Sequence, residues 1–442
     1  MTIRRILFTV TTVACAMAVT GARAGHATSA QAGAVLIKAG HFIDVRAGRV
    51  VDDQGILIEG ERVKQVGPLT QIESMARGAR VIDLGSAYVL PGLIDCHTHI
   101  LLQGDITSAE YDEQLLKESI PFRTIRATAA ARTGLMNGFT AMRDVETEGA
   151  MYADVDVKRA INLGYIEGPR LFVSTRAMSA TGMYPLSGYS WELRVPEGVQ
   201  IVDGPDNIRK AVREQVKYGA DWIKYYSDRR YFMKEGALHS WVNFTDEEVQ
   251  ALVGEAHRLG RKVAAHAMGR EGIESAVRAG VDSIEHGYGL DEAMMDLMVE
   301  RRVYWCPTIY VGVYVAPGRA AAGAPIWKTM VDLEAKAFGK AVKKGVMIAF
   351  GTDAGGFAWT ENQAKEFSYM VRYGMTPMQA IQSATITAAS LLDANNDIGI
   401  VGAGSYADII AVAQDPLQDI MRLEQVGFVM KGGKVIRNQL RE

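Results

Sequence analysis

Two histidines separated by one residue end the apolar run Val89-Leu90-Pro91-Gly92-Leu93-Ile94-Asp95-Cys96-His97-Thr98-His99. On a β-strand alternate side chains share a face, so His97 and His99 point one way while Cys96 and Thr98 point the other. Paired imidazoles at the end of a buried strand are a candidate metal site. Three other apolar runs end in related chemistry: Val263-Ala264-Ala265-His266, Ser283-Ile284-Glu285-His286 and Ala349-Phe350-Gly351-Thr352-Asp353. A fourth, Asp221-Trp222-Ile223-Lys224-Tyr225-Tyr226, carries a lysine inside an apolar strand. Each histidine singly reads equally well as a hydrogen-bonded core residue. Of the eight histidines, however, four fall at the ends of such runs, in company with an aspartate and a lysine. Coincidence is a poor account of that placement.

Side chains so far apart in sequence meet if their strand ends share one rim. Strand-like runs lie near 89–99, 139–145, 170–176, 221–227, 262–267, 282–286, 302–308 and 346–353, with helical patterns between them, for example over 206–218, 246–259 and 325–344. Thr245 and Glu248 form a capping box at the start of the second of these helices. Eight β-α units predict a (β/α)8 TIM barrel over 89–396, a fold whose active sites sit at the C-terminal strand ends. A doubly wound open sheet is the alternative. It usually carries a Gly-rich phosphate turn after its first strand, where this chain has His99-Ile100-Leu101-Leu102-Gln103. Short β-like runs punctuated by Gly and Asp occupy both ends of the chain. Neither end could bury its apolar face alone. Residues 25–88 and 397–442 are therefore expected to pair, antiparallel, into one small β-sandwich domain.

The chain has 442 residues, 48% hydrophobic and 22% charged, which suits one large domain and a smaller one. A net charge of −3 offers no basic field for nucleic acid. Arg4 and Arg5, a moderately apolar run and Ala22-Arg23-Ala24 read as a signal peptide over 1–24, so export to the periplasm or medium is expected, with no membrane association after processing. A twin-arginine signal is the alternative export route, and Cys15 as a lipid anchor is weaker because Thr12 stands where Leu is usual. Cys96 and Cys306 would remain in the mature chain and are expected to be free core thiols.

The Pro91-Gly92-Leu93-Ile94-Asp95 lead-in, the His-x-His pair, Lys224, His266, His286, Asp353 and the split β-domain together resemble the amidohydrolase superfamily in its binuclear form. The resemblance implies that His97, His99 and Asp353 hold one divalent ion, that His266 and His286 hold a second, and that Lys224, as N6-carboxylysine, bridges both. Nitrogen and carboxylate donors without thiolate suit Zn2+, with Mn2+ or Co2+ as alternatives. A cationic lysine would repel two dications, whereas its CO2-derived carbamate is an anion with two oxygens. The implied reaction is hydrolysis by a hydroxide held between the ions, with Asp353 taking the water's proton and passing it to the leaving amine. A snorkelling or salt-bridged Lys224 is the bland alternative.

Within the superfamily, Gly219-Ala220-Asp221-Trp222-Ile223-Lys224 and Gly404-Ser405-Tyr406-Ala407-Asp408 resemble exported Xaa-Pro and Xaa-Arg dipeptidase-like enzymes. Residues 182–246 resemble bacterial ochratoxin amidohydrolases, which cleave an aryl amide of phenylalanine. The resemblance implies a small-molecule substrate, a dipeptide or N-acyl amino acid that loses its C-terminal residue, and by analogy a homo-oligomer. One departure concerns the substrate. The group's Thr-Gly-Gly-His is Thr181-Gly182-Met183-Tyr184 here. A phenol donates one hydrogen bond to an oxyanion, so Tyr184 is the expected stand-in for that histidine. Met183, Tyr189 and Trp191 would favour a bulky aromatic substrate if the loop over 179–204 is a lid rather than a packed excursion. Tyr226 shares a face with Lys224 and is expected to reach the site. A free carboxylate needs a cationic clamp, for which Arg229 and Arg230 are the candidates; a solvated pair is the alternative. His26, His41 and His257 are expected away from the chemistry, and His239, in a loop, is expected in solvent, with the mouth of the site as the alternative. Two rival functions remain: a binuclear hydrolase of cyclic amides or lactones, which needs no clamp, and a non-catalytic metal-binding scaffold, which usually loses ligands.

Overall fold

The strand expected over 89–99 is two strands in the computed structural model, which describes residues 33–440 apart from 185 and 187. The expected signal peptide, Cys15 and His26 lie outside the described residues. Tyr88–Pro91 belongs to the small sheet and Leu93–Thr98 to the barrel, which moves the boundary between the two from 88/89 to Gly92. Gly92 is the joint for a steric reason. A Cβ there would stand 2.1 Å from Thr140 Oγ1 on the neighbouring barrel strand, so the backbone crosses closely only without a side chain.

The ring of parallel strands can be followed all the way round. Leu93–Thr98 pairs with Phe139–Asp144, which pairs with Arg170–Val173. Trp222–Tyr226, Lys262–Ala267, Ser283–His286 and Tyr304–Cys306 pair in that order. The two groups are joined where Asp221 N–H donates to the Val173 carbonyl at 2.8 Å and Tyr225 stands opposite Met178. The eighth segment, 346–353, is less regular than its apolar run suggests. It meets the seventh strand through an isolated bridge between Ile348 and Trp305, and closes on the first strand through Cys96 N–H to Phe350 O and Asp353 N–H to His97 O, both 2.8 Å. The expected (β/α)8 barrel is present. Its central strands are buried at every residue, as strands covered on both faces must be. Pro205–Tyr218, Asp246–Arg258 and Ile326–Lys344 are the expected helices, and Thr245 with Glu248 forms the expected capping box.

The two chain ends share one sheet, as expected, but it is mixed rather than antiparallel. Val35–Asp44 runs antiparallel to Arg49–Glu59 and parallel to both Arg80–Asp83 and Tyr88–Pro91. Tyr88–Pro91 is the seam: its other neighbour is Ile409–Val412, followed by Val426–Lys431 and Lys434–Asn438. The edge strand Arg62–Pro68 bonds back to the C-terminal part, with Val63 N–H on Ser405 O at 2.9 Å and Ala407 N–H on Glu61 O at 2.8 Å. Ile37, Phe42, Ile56, Val89, Ile409 and Phe428 form the core between the ends. Two insertions at the rim were not legible as structure. Ser108–Lys117 follows the first barrel strand as a helix, and Asp228–Lys234 with Ala237–Val242 forms a hairpin after the fourth. His239 therefore lies on a strand, not in a loop. Among the described residues no helix is long and apolar enough to cross a membrane, and Cys96 and Cys306 are free and buried.

Gly92→Ala forces its methyl group against the buried Thr140. We expect a loss of about 1–3 kcal/mol, read as an earlier urea midpoint. Thr140→Ala in the same chain should restore part of it. An unchanged midpoint in the single variant would show that the joint tolerates a side chain.

Candidate metal centre

His99, Lys224, His266, His286 and Asp353 line one cavity at the C-terminal rim of the barrel. His97 lies beneath it, wholly buried, with Nε2 3.7 Å from Asp353 Oδ1. His99 Nε2 is 3.1 Å from the same oxygen and 3.3 Å from His97 Nε2. The His286 ring centre lies 4.9 Å from that of His97 and 4.6 Å from that of His266. Donor atoms of His97, His286 and Asp353 all fall within 4.8 Å of one another. Six side chains from five barrel strands thus converge.

Their electrostatics fit a divalent ion. Burial, reinforced by Lys224, holds His97 well below the ordinary imidazole range, and burial with the nearby His286 does the same to His266. Burial pushes His286 down to about 3. These rings are neutral and can offer lone pairs. Burial would raise Asp353, but the hydrogen bond from His99 and the charge that ring carries outweigh it and keep the carboxyl below its usual range. His99 is the exception. Burial opposes its charge, yet the hydrogen bond and charge of Asp353 raise it to about 10. The cavity draws positive charge to His99 Nε2 against the cost of burial, and a metal ion supplies that charge as a proton does. Lys224 is buried, has no carboxylate ion-pair partner among the described residues, and is lowered by burial.

A second layer orients these ligands. His97 Nδ1 bonds Glu285 Oε2 at 2.6 Å, which leaves Nε2 facing Asp353. Glu285 Oε1 accepts from Arg143 Nη2 at 2.8 Å and from the Ser283 hydroxyl, all buried inside the barrel. His286 Nδ1 bonds Thr308 Oγ1 at 2.8 Å, and His266 Nε2 bonds Tyr231 Oη at 2.7 Å. His286, Thr308 and Asp353 hold left-handed φ values of 71°, 56° and 60°, uncommon away from glycine. Strict alternation places Glu285 and His286 on opposite faces. The left-handed residue at the strand end turns His286 inward as well, which sequence periodicity cannot show.

Tyr184, Tyr226 and Arg229 also line the cavity. Tyr226 Oη donates to Glu146 Oε2 at 2.6 Å and Tyr184 Oη to Glu148 Oε2 at 2.9 Å. The Arg229 guanidinium lies 4.2 Å from the Tyr226 ring centre and 4.7 Å from that of Tyr184. The other expected contacts are elsewhere. Met183 lines a neighbouring pocket. Arg230 also lies in that pocket, exposed, and packs on Trp241. Tyr189 is exposed and bonds Asp112, and Trp191 is 92% exposed. The aromatic wall is instead built from Tyr288 and Trp327, beside Arg319. They come from the barrel's later strand ends and helices, where no motif marked them. His41, His239 and His257 pair with Asp52, Glu271 and Asp282 and do not line the cavity.

Glu285→Gln leaves Arg143 charged and buried without its counter-ion. We expect a loss of about 3–5 kcal/mol in unfolding free energy. Glu285→Met combined with Arg143→Met should lose less than the single change, because the pair's desolvation cost disappears with it. A neutral single variant would show that the floor of the site is not ionic.

The amidohydrolase family model matches residues 88–436. Ochratoxinase of Aspergillus niger is 32% identical over 383 residues, covering 79% of this chain and 75% of that protein. Among solved structures, a Xaa-Pro dipeptidase with methionine bound in its active site is 35% identical, with a TM-score of 0.81 over 92% of this chain and 100% of that one. The A. niger ochratoxinase structure is 29% identical, with a TM-score of 0.77 over 92% and 96%. Members of this family generally use divalent metals. With its donors gathered on the barrel rim, this chain belongs to the amidohydrolase family and is a hydrolase.

Proposed function

We propose that the protein is an exported, binuclear amide hydrolase, assembled from several copies, that releases the C-terminal amino acid from an N-acyl amino acid or dipeptide. Bulky aromatic amides such as those of phenylalanine fit its aromatic wall. His97, His99 and Asp353 would hold one divalent ion, His266 and His286 a second, and a carboxylated Lys224 both, with Zn2+ favoured by the donor types. Bound there, the ions supply an acidified water and a polarised carbonyl. Lys224 is prepared for carboxylation. Burial favours its neutral amine, which adds to CO2 to form a carbamate and release one proton. Asp353 Oδ1, bonded to His99, can accept a proton from the nucleophilic water and hand it to the leaving amine. Trp327, Tyr288 and Val311 keep the apolar side of the cavity dry.

The observation that carries the substrate class is the state of two arginines. Arg319 is spoken for: it bonds the Asp105 and Ile106 carbonyls and pairs with the Asp105 carboxylate at 3.3 Å. Arg229 has no carboxylate ion-pair partner among the described residues, and its Nε is buried without a hydrogen bond. A guanidinium left unpaired beside the metal ligands fits a free substrate carboxylate.

The test compares N-acyl-phenylalanine with its C-terminal amide and with a lactone panel. The acid should be preferred, and Arg229→Met should cost it about 10–100-fold in kcat/KM while sparing the amide. Equal wild-type rates on acid and amide would remove the clamp, and faster turnover of lactones would move the enzyme to the cyclic-substrate class. Lys224→Ala should lose bound metal and turnover, with some metal returning when short carboxylates are added. Retention of both ions at full rate would show that Lys224 does not bridge them.

A further inference from the structure

Both members of the His97/His99 pair have a carboxylate behind the ring. Glu285 stands behind His97. Behind His99 stands Glu148, with Oε1 3.3 Å from Nδ1. That nitrogen is buried and has no hydrogen-bond partner among the described residues. The other oxygen of Glu148 lies 2.6 Å from Tyr111 Oη and 2.9 Å from Tyr184 Oη, and the phenol oxygens are 2.7 Å apart, so the two hydroxyl protons are shared over three contacts. One carboxylate therefore faces a metal ligand on one side and two pocket-lining phenols on the other.

The chain holds Glu148 there at a cost. Its φ is +50°, left-handed for a residue that is not glycine. The carbonyls of Thr147 and Glu148 are pinned by Arg123 Nη2 at 3.2 and 2.7 Å, and Arg123 Nε is tied to the Leu101 carbonyl at 3.2 Å. Arg123 is almost fully buried, so this anchor is part of the core. Glu146, His99 and Glu148 also gather donor atoms within 4.8 Å, the distance of a further cation site. A cation on Nδ1 would require an imidazole stripped of both protons if Nε2 also holds one. A proton on Nδ1, shared with Glu148, needs no such species.

We infer that Glu148 is a positioning residue: it keeps the proton of His99 on Nδ1 by accepting a hydrogen bond from that N–H, fixes Nε2 as the lone pair toward the metal, and ties that ligand to Tyr184 and Tyr111 at the substrate side. The inference rests on the reading of His99 as a metal ligand. A carboxylate behind a ligating imidazole raises its basicity and fixes its orientation. The phenols that donate to the far oxygen fix the carboxylate in turn. A change at the pocket thereby reaches the metal through one side chain.

The experiment titrates metal-free protein with Co2+ alone, following affinity and the visible absorption of the bound ion. Glu148→Gln and Glu148→Ala should weaken binding by about 10–100-fold, with Gln the milder because its amide oxygen still accepts from Nδ1–H. The double variant Tyr111→Phe/Tyr184→Phe keeps the carboxylate and should shift the absorption band with a smaller loss of affinity. Wild-type affinity and spectrum in Glu148→Gln would overturn the inference. His99→Ala separates the two readings. Loss of Co2+ there but not in Glu148→Gln rejects the positioning role alone, and wild-type binding in both rejects the metal reading beneath it.

Discussion

The N–H of Asp353 donating to the carbonyl of His97 is the bond on which the site depends. It sets the register of the eighth segment against the first strand, and that register brings Asp353 Oδ1 to the Nε2 atoms of both histidines. A slip by one residue would turn the carboxylate away from them. The eighth segment has few regular ladder bonds of its own, so side chains hold it. Asp95 accepts from Thr352 Oγ1 and Gln363 Nε2, both at 2.6 Å, and from the N–H groups of His97 and Thr352 at 3.1 Å. Burial pushes Asp95 up to about 7, and these hydrogen bonds work against that rise. This aspartate serves as a clasp between first and last strand rather than as a ligand.

A charged floor lies below the ligands. Replacing Arg143, Glu285 and Ser283 by aliphatic side chains of similar volume would give a simpler core. The ion pair is intelligible through what it orients. Glu285 divides its two oxygens between Arg143 and His97, so the charge that Arg143 stabilises is the one that fixes the ring. Trp222 packs its face on the same guanidinium, 4.4 Å away, and seals it from solvent. The strained residues follow the same logic. His286, Thr308, Asp353 and Glu148 all depart from extended backbone where a strand ends and a side chain must be re-aimed.

Much of this was legible in the sequence because strand ends in a barrel share one rim. His97, His99, Lys224, His266, His286 and Asp353 could be read as a set since each closes or occupies an apolar run, and the structure brings all of them together. What periodicity cannot carry is what comes from irregular backbone. The break at Gly92 hides inside a continuous apolar run, because its cause is a clash with Thr140, 48 positions on. The hairpin after the fourth strand reads as polar loop because its strands are half exposed at the rim. Glu146 and Glu148 follow the second strand as ordinary acids, and only their burial against His99 and the phenols distinguishes them. Tyr189 and Trp191 were attractive as large aromatics in a long loop, but composition does not say which way a loop faces.

Charge balance ties the ligands to substrate recognition. Asp353, Glu148 and Asp105 crowd one cavity with Lys224, Arg229 and Arg319, and Glu146 lies behind its Tyr226 wall. Asp105 and Arg319 cancel. Burial, then the charge of Glu148, drives Glu146 well above the carboxylate range. Asp353 and Glu148 then draw a proton onto His99, and Lys224 is pressed by burial toward its neutral form. The carboxylates around His99 therefore favour positive charge at the floor of the pocket. At its mouth the imbalance is reversed. Arg229, held between two tyrosine faces, keeps its charge with no carboxylate ion-pair partner among the described residues. Those opposite deficits lie on the walls of one cavity, so a ligand that satisfies the mouth must carry an anion, and one that satisfies the floor must be a cation. The proposed function answers both, with divalent ions at the floor and a substrate carboxylate at the mouth.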